Sequence, residues 1–417
     1  MKKVFYSFFV ICLFLVSCSG EAIIPEPEIK KPKEEVQDPD GDEKEPEGED
    51  KESAGNEEKS ENEENAIDWA KFADDFQHTL QNSYKSLFGT YSTLPSNSKF
   101  NYWYNAHALD VLTDGYNRTK DPEYLDLMKK LLKGIKIRNF RYWQVYVDDM
   151  DWLGIACMNA WKATDDKEYK EVADYILGEI KKAHTEVCGG GLQWRFDQPN
   201  GKNACSTGPG AILALRMYAA DKNEDDLKFA KELFEWEKTT LLNPSNNLIW
   251  DNIKLDNGKL VIQKWQFTYN VGTYIGMAND LYKMTGDKYY LDLASKSALA
   301  SITSGDMVKN NMFKETVEPG ATNGDGGLFK GILIRYLTEL VYTEGLSDTL
   351  KSRIVDFMKY NAILLYEKGT TPSPDVFASS KWDIRPEKPE FVSTQLSAMM
   401  LVEAMAKFDS SGLLKKH

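Results

Sequence analysis

The sequence has few of the residues and motifs on which common catalytic sites depend. It contains only 4 histidines in 417 residues, and neither HExxH nor any other spacing typical of a metal site occurs. No GxSxG motif is present, which argues against a serine hydrolase. The glycine run 189–191 lacks the Lys-Ser/Thr ending of a phosphate-binding loop. Carboxylate chemistry is the class that remains, and we expect no metal and no other cofactor.

Cysteine is also scarce, with 5 in the chain and no CxxC pair. Cys12 and Cys18 lie in the N-terminal segment, which leaves Cys157, Cys188 and Cys205. Three cysteines cannot form a complete disulfide framework. Cys157 falls on an apolar helical stripe and is expected to pack as a small core residue. A bond between Cys188 and Cys205 stays open.

An excess of positive charge is missing as well. The net charge is −14, and residues 21–65 alone contain 19 acidic and 6 basic side chains, a net charge of −13. Residues 66–417 are left with a net charge of only −3. The electrostatic footprint of a nucleic-acid-binding protein is therefore absent, and we expect no nucleic-acid partner.

The N-terminal segment has the pattern of a targeting signal. Lys2 and Lys3 precede an apolar run, 4–16, that is too short to span a bilayer. The run ends in Leu-Val-Ser-Cys, which resembles the lipobox of bacterial lipoproteins, so Cys18 is the predicted lipidation site. We expect a signal peptide over 1–17, then the lipidated cysteine and a disordered acidic linker over 18–65. The chain would then be anchored in the bacterial cell envelope by its lipid alone.

The remaining part, 66–417, is predicted to be one helical domain. Hydrophobic periodicity indicates twelve helices over 67–89, 102–117, 122–136, 149–163, 167–184, 204–220, 224–241, 266–284, 288–303, 326–343, 348–366 and 392–407. Short turns with a capping residue alternate with long connectors rich in Gly, Asn and aromatic residues. This pattern predicts an all-α fold, an (α/α)6 barrel, with an open superhelix as the structural alternative. The long connectors would surround one mouth.

One pair of carboxylates stands out at a predicted helix start. Asp148 and Asp149 precede an apolar stripe that includes Trp152. In one interpretation Asp148 is the N-cap, and Asp149 and Asp151 favour the positive end of the helix dipole. In the other, the two adjacent aspartates are a catalytic pair, one ionised and one kept protonated by burial and by its neighbour. Spacing alone leaves both interpretations open.

Aromatic and amide residues concentrate in the long connectors and the helix starts that follow them. An aromatic ring packs on the apolar face of a pyranose, and amides and carboxylates bind its hydroxyl rim, so the set favours a sugar cleft. Individual members are just as readily explained as core packing. The candidates for substrate contact are Trp103, Tyr146, Trp152, Trp194, Asn203, Asp251, Tyr269 and Asn270.

The motifs in this order resemble glycoside hydrolase family 76, the endo-α-1,6-mannanases. The resemblance rests on the segments YVDDMDW at 146–152, GGGLQW at 189–194, KNA at 202–204, FTYNVGT at 267–273 and FKGI at 329–332. It implies retaining hydrolysis of α-1,6-linked mannan or manno-oligosaccharides, with Asp148 as nucleophile and Asp149 as general acid/base. It also places Asp251 where substrate hydroxyls are held. Two departures, Val147 and Val271, affect subsite detail more than the chemistry.

Three other functions remain open at this point. A transglycosidase would use the same two aspartates and differ only in whether water or a sugar resolves the intermediate. A non-catalytic glycan-binding lipoprotein would have no need for the aspartate pair. An uronyl hydrolase or a sugar epimerase on the same scaffold is the third, and an epimerase would need histidine pairs, for which only His107 is placed near the mouth. We expect the protein to be a monomer.

Overall fold

Twelve α-helices make up most of the part of the chain that the structure describes. The computed structural model describes residues 67–314 and 324–414, and all structural statements refer to these. The helices are α1 (Trp69–Thr79), α2 (Tyr102–Thr119), α3 (Glu123–Arg138), α4 (Val147–Thr164), α5 (Lys167–Ile180), α6 (Ala204–Asp221), α7 (Glu224–Thr240), α8 (Thr268–Thr285), α9 (Lys288–Thr303), α10 (Gly326–Val341), α11 (Asp348–Glu367) and α12 (Val392–Ser410). The predicted all-α class and the count of twelve are confirmed.

The even-numbered helices form a closed inner ring. Each packs on the next, α2 on α4 and so on to α12, and α12 returns to α2. These helices are buried around most of their circumference, whereas outer helices such as α5 bury one stripe that includes Tyr169, Val172 and Ile176. The fold is therefore the closed (α/α)6 barrel and not the open superhelix.

Four of the five short turns at one end of the barrel share one local design, and the α10–α11 turn differs. The inner helix ends at a residue with left-handed backbone, such as Asp165 (φ 58°) or Gly286 (φ 71°). The following residue then caps the outer helix, as when Asp166 accepts a hydrogen bond from the amide of Glu168. The expected repeat is thus a helical hairpin. In the α6–α7 turn the cap is Asn223, which accepts a hydrogen bond from the amide of Asp225.

The first helix is shorter than predicted. It ends at Thr79 and is followed by a single π-helical turn, Leu80–Tyr84, and a 3₁₀ turn, Leu87–Gly89. The carbonyl of Tyr84 accepts a hydrogen bond of 2.8 Å from the amide of Ser92. Pairing with a segment later in the chain therefore overrides the helical pattern of 80–89.

The long connectors lie at the other end, where the inner helices begin. Two of them form a small antiparallel sheet with strands β1 (Gly201–Asn203), β2 (Asn252–Asp256) and β3 (Lys259–Gln263), in the order β1-β2-β3. Strands β4 (Val308–Lys309) and β5 (Met312–Phe313) make a separate hairpin. The sheet fixes the approach to α6, and its register sets Asn203 opposite Asn252.

Ion pairs line the end of the barrel where the short turns lie. Arg216 contacts Glu339 and Asp280, and Arg335 contacts Asp110 and Asp114, around a cavity of about 970 Å³. Cations are favoured there because the inner helices all point their carbonyl ends to it. The opposite end receives the positive ends of the same helices and is suited to carboxylates.

Candidate active site

The aspartate pair lies in the first turn of α4. The helix begins at Val147, two residues earlier than predicted, and Tyr146 is the N-cap. The reason is a short antiparallel contact in which the amide of Val147 donates to the carbonyl of Trp194 (2.8 Å) and the amide of Phe196 to that of Val145 (3.1 Å). The interpretation of Asp148 as the N-cap is therefore wrong.

Asp148 has hydrogen-bond donors around a half-buried carboxyl group. The indole of Trp194 donates to its Oδ2 at 3.2 Å. Burial raises the pKa of Asp148, and the backbone amide of Asp149, the Trp194 indole and the thiol of Cys205 act against that rise. These donors stabilise the ionised form, so Asp148 is the carboxyl of the pair that loses its proton first.

Asp149 lies beside it in a different electrostatic setting. Burial, the charge of Asp148 and the charge of Asp325 together hold the pKa of Asp149 well above its ordinary value. Asp325 immediately precedes α10, on the far side of the inner ring, and its Oδ1 accepts from Trp103 Nε1 (3.1 Å) and from Tyr104 Oη (2.7 Å). The site therefore contains two adjacent carboxyl groups of unequal acidity, with the proton on Asp149.

A third carboxylate, Asp251, closes the side of the cleft near α6 and α8. It accepts from Asn270 Nδ2 (3.0 Å) and Asn252 Nδ2 (2.7 Å), and its carbonyl accepts from the amide of Ala204. Burial raises the pKa of Asp251, and the two amide donors oppose the rise. Asn270 is itself fully buried, so in this structure it orients Asp251. Asn203 is half-buried at the end of β1.

The predicted aromatic residues divide between the rim and the wall of the barrel. Tyr146 packs edge-on against Trp194, with ring centres 5.2 Å apart, and its hydroxyl accepts from Arg195. Tyr269 stacks on Phe329 at 3.9 Å, and Phe329 in turn lies 6.3 Å from Trp103. These rings surround the carboxylates on several sides.

The row of rings continues outward to an exposed tryptophan. Phe267 lies 5.5 Å from Phe329 and 6.2 Å from Trp265, which is 57% exposed. Rings therefore follow one another from the solvent to the wall of the cleft.

Trp152 takes a different position from the other predicted contact residues. It is buried within the inner ring of helices, and the centre of its side-chain ring lies 4.9 Å from the centre of the His107 imidazole. Neither ring nitrogen of His107 has a hydrogen-bond partner among the described residues, and burial together with the charge of Arg335 lowers the pKa of His107 well below its ordinary value. Asp151 on the same helix is also fully buried. Trp152 thus belongs to the packing one turn along the helix from the aspartate pair.

The glycine-rich loop is held by a buried lysine. Lys202 Nζ donates to the carbonyls of Gly191 (2.7 Å) and Ala183 (3.1 Å), and burial lowers the pKa of Lys202 to about 8. Gly191 has a positive φ of 72°, and a Cβ there would lie 2.6 Å from the ring of Trp236. This close packing requires glycine and sets the direction in which Trp194 leaves the loop.

Nearly the whole helical part of the sequence matches one protein family. The model of glycosyl hydrolase family 76 matches residues 68–416. The chain belongs to glycosyl hydrolase family 76. The members of this family are glycoside hydrolases.

Solved structures of other family 76 proteins superimpose closely. The α-1,6-mannanase GH76A of Salegentibacter sp. HEL1_6 is 46% identical with a TM-score of 0.78, covering 82% of this chain and 99% of that one. An inactive variant of it, in which two consecutive aspartates are replaced by asparagine, is in complex with α-1,6-mannotriose; it is 45% identical with the same TM-score and coverage.

A more distant relative is the mannan endo-1,6-α-mannosidase DCW1 of Candida albicans. It is 26% identical over 278 residues, which are 60% of this chain and 58% of that protein. The chain therefore spans less than two thirds of the length of this curated relative.

Two residues of this family 76 site, Asp325 and Cys205, are not among the sequence candidates, and Tyr104 belongs only to the broader set of aromatic residues at the connectors and helix starts. Tyr104 and Asp325 are separated by 221 positions and meet only through the closure of the ring. The disulfide between Cys188 and Cys205 does not form, because Cys157, Cys188 and Cys205 are all free. Cys205 lies instead beside Asp148 and Tyr269. A signal for Cys205 existed in its position directly after the KNA motif at 202–204.

The predicted lipidation site and the predicted N-terminal segments precede the described part of the chain. Cys18 and the segments 1–17 and 18–65 fall outside the described residues.

Within 67–314 and 324–414, no group of three or more His, Cys, Asp or Glu side chains is arranged to hold a metal ion. No helix in the same part of the chain is long and apolar enough to cross a membrane.

Proposed function

We propose that the protein hydrolyses α-1,6-mannosidic linkages within mannan chains, with retention of configuration. The observation that carries the proposal is the placement of two adjacent carboxyl groups, Asp148 and Asp149, in the first turn of α4, where the Trp194 indole donates to Asp148. Adjacent carboxyls that share a site cannot both ionise readily, and here the hydrogen-bond donors surround Asp148 whereas like charges surround Asp149. A retaining glycosidase needs this division between an ionised nucleophile and a protonated acid.

In the proposed reaction Asp148 attacks the anomeric carbon. The bond from that carbon to the glycosidic oxygen breaks, and the proton of Asp149 passes to the leaving oxygen. Water then enters, Asp149 takes its proton, and the hydroxide oxygen displaces Asp148 from the anomeric carbon. The proton taken from water restores the protonated form of Asp149, and the first proton leaves with the released sugar. Trp194 holds the attacking carboxylate in place through its hydrogen bond.

The comparisons support the substrate class. The Salegentibacter enzyme, 45% identical, is inactive when two consecutive aspartates become asparagine, and this variant is in complex with α-1,6-mannotriose. The mannan endo-1,6-α-mannosidase of Candida albicans has the same specificity in its name. Asp148 and Asp149 are the consecutive aspartates at the mouth of this barrel.

We assign the remaining predicted residues to sugar contact and support. Trp103, Tyr146, Trp194 and Tyr269 offer ring faces or edges around the carboxylates, and Asp251 and Asn203 offer polar atoms. Asn270 and Trp152 act behind them, because both are buried. The exposed ring row that ends at Trp265 suits a polymer that extends beyond the cleft, which favours endo action.

The test uses residues 66–417 with unbranched α-1,6-mannan, and Asp148→Asn and Asp149→Asn beside the parent. We expect short α-1,6-manno-oligosaccharides from the parent and a loss of at least about a thousandfold in each variant. Asp256→Asn, at the exposed tip of the β2–β3 hairpin, is the matched control and should keep full activity. Products longer than an oligosaccharide substrate would instead indicate transfer to sugar. Retained binding without turnover by the parent would leave a glycan-binding protein.

We also infer that the chain is lipidated at Cys18 and held in the bacterial cell envelope. The support is the pattern of the first eighteen residues together with the acidic, proline-containing stretch that follows. Metabolic labelling with a fatty acid should mark the parent and not Cys18→Ala. Label in both the parent and Cys18→Ala would refute the anchor. The expected monomer is tested separately, by sedimentation of residues 66–417.

A further inference from the structure

One surface of the barrel differs in charge from the rest of the chain. Residues 80–101 and 127–147 contain eight Lys or Arg residues and no Asp or Glu, in a protein with a net charge of −14. The eight are Lys85, Lys99, Lys129, Lys130, Lys133, Lys136, Arg138 and Arg141. We call the surface formed by 85–89, 98–100 and 130–141 the basic apolar face.

The cations of this face are not neutralised within the described part of the chain. Lys129, at its edge, forms ion pairs with Asp166 and Glu168. The other seven have no carboxylate within ion-pair distance in residues 67–314 and 324–414. Arg138 and Arg141 instead lie over the rings of Phe100 and Trp143, at 5.3 and 4.6 Å.

Large apolar side chains project from the same surface. Phe140 is 93% exposed, Leu87 61%, Phe88 58% and Ile137 50%. Phe88 and Phe140 also have left-handed backbone, with φ of 60° and 64°. This conformation costs free energy in a residue with a Cβ, and burial of the two rings does not compensate for it. Folding alone therefore gives no reason for phenylalanine at either position.

The charged and apolar groups form one continuous patch. The 3₁₀ turn Leu87–Gly89 packs directly on α3, where the carbonyl oxygen of Phe88 lies 2.3 Å from the place a Cβ on Gly134 would take. The amide of Phe140 donates to the carbonyl of Ile137 at 3.3 Å. Arg138 Nη2 donates to the carbonyl of Ser98 at 2.8 Å, which joins the segment of Lys99 to the same surface.

We propose that the basic apolar face docks on an anionic lipid bilayer. Unpaired Lys and Arg side chains attract the phosphate groups of anionic lipids, and exposed Phe, Leu and Ile side chains insert at the boundary between headgroups and acyl chains. The two components occur here on one surface, on an outer helix and the connectors beside it. The inference depends neither on the proposed catalytic activity nor on the lipid at Cys18.

Two other occupants fit the observations less well. A soluble polyanion would use the cations but not the exposed Leu87, Phe88, Ile137 and Phe140. A second copy of the chain, related by a two-fold axis, would bring two positively charged faces together. The bilayer is the occupant that uses both the charge and the apolar side chains.

The experiment measures co-sedimentation of residues 66–417 with lipid vesicles. This part folds on its own, since it covers 99% of the solved Salegentibacter chain, which has the same fold. One set of vesicles contains phosphatidylcholine alone and the other contains phosphatidylcholine mixed with phosphatidylglycerol. We expect binding only to the mixed vesicles, and weaker binding as salt is added.

Two variants test the face, each with a matched control. Lys133→Glu with Lys136→Glu should weaken binding by about a hundredfold, whereas Lys228→Glu with Lys231→Glu, the same double change on the outer helix α7, should not. Phe140→Ser should weaken it by about tenfold, and Leu260→Ser on the β2–β3 hairpin, where Leu260 is also 58% exposed, should not. Circular dichroism verifies that each variant is folded, and none of these residues lines the cleft.

Four results would overturn the proposal. The first is no binding to the mixed vesicles at low salt. The second is binding that the changes at 133, 136 and 140 leave unaltered. The third is self-association without lipid that the same changes abolish, which would make the face a contact between copies. The fourth is a pattern in which Phe140→Ser still binds soluble dextran sulfate and only the charge variant loses vesicle binding. That pattern would assign the face to polyanions.

Discussion

The indole N–H of Trp194 donates a hydrogen bond of 3.2 Å to Oδ2 of Asp148. The donor comes from the glycine-rich loop and the acceptor from the first turn of α4, 46 positions apart. The backbone contact between Val147 and Trp194 fixes the two segments together. The ionisation of Asp148 thus depends on a loop that is itself held by Lys202.

Trp194→Phe removes this donor and keeps most of the ring. The ionised form of Asp148 loses stabilisation, so its pKa rises, and the acid limb of the pH profile of kcat/KM should move upward by about one unit. We also expect kcat to fall by about tenfold or more. Trp143→Phe, at a rim tryptophan that stacks on Phe196, is the control. An unchanged acid limb in Trp194→Phe would show that the hydrogen bond has no part in the ionisation.

Asp325→Asn should shift the alkaline limb of the pH profile of kcat/KM. The charge of Asp325 helps to hold the pKa of Asp149 high. Without that charge Asp149 loses its proton at lower pH, so the alkaline limb should move down by about one unit. Tyr104→Phe removes a hydrogen bond to Asp325 but no charge and is the control.

The leaving group separates two explanations of an Asp325→Asn defect. An aryl α-1,6-mannobioside has a leaving group that needs little protonation. If Asp325 acts through the acid, the defect on mannan should largely disappear with the aryl substrate. An equal defect on both substrates, with a raised KM, would mean that Asp325 binds sugar and does not tune the acid.

Asp151→Asn should stabilise the folded protein at neutral pH. Asp151 is fully buried, both its carboxyl oxygens are without a partner in the described part of the chain, and burial and the charges of Asp148 and Asp149 raise its pKa well above the ordinary value. The unfolded chain ionises this group near pH 4 and the folded chain does not, so the parent loses stability as the pH rises from there. We expect a gain of about 2 kcal/mol in the free energy of unfolding at pH 7 and none below about pH 4.

Chemical denaturation at the two pH values measures this effect. Asp256→Asn, on the exposed hairpin, should change neither value and serves as the control. A gain of the same size at both pH values would contradict the electrostatic cause and would indicate better packing instead.

Trp265→Ala should affect long substrates selectively. The ring of Trp265 is 57% exposed at the outer end of the aromatic row, and stacking on a sugar is worth on the order of 1 kcal/mol. We expect KM for long α-1,6-mannan to rise about fivefold while values for the shortest hydrolysed oligosaccharide stay unchanged. Leu260→Ala is the control for a change to an exposed apolar residue. A similar rise for the short substrate would place Trp265 close to the cleavage point.

Much of the fold could be predicted from local sequence. The spacing of apolar residues and the capping residues of the short turns determine twelve helices in six hairpins, because each signal depends on neighbours within one or two turns. The boundaries failed where the end of a helix pairs with backbone outside it. The chain leaves the helical path after Tyr84 because Tyr84 pairs with Ser92, and α4 starts early because Val147 pairs with Trp194.

The candidate site shows the same division. Asp148 and Asp149 are adjacent in the chain, so their pairing and the alternation of motifs around them are visible in the sequence itself. The near-neutral net charge of residues 66–417 is also a property of the sequence, but it conceals a surface on which cations lie apart from acids. Six of the eight cations lie within 129–141 and are visible in the sequence, but only the packing of Leu87–Gly89 on α3 adds the exposed Leu87 and Phe88 to them.

What the sequence by itself determined is the helical repeat, the aspartate pair and the family resemblance, since these depend on order along the chain. The tertiary structure decided which carboxyl of the pair is held ionised. Trp194 and Cys205 reach Asp148, and Asp325 reaches Asp149, only because the ring of inner helices closes and brings their N-terminal ends to one mouth. Proton affinity depends on what surrounds a group in space, and no spacing in the chain specifies that.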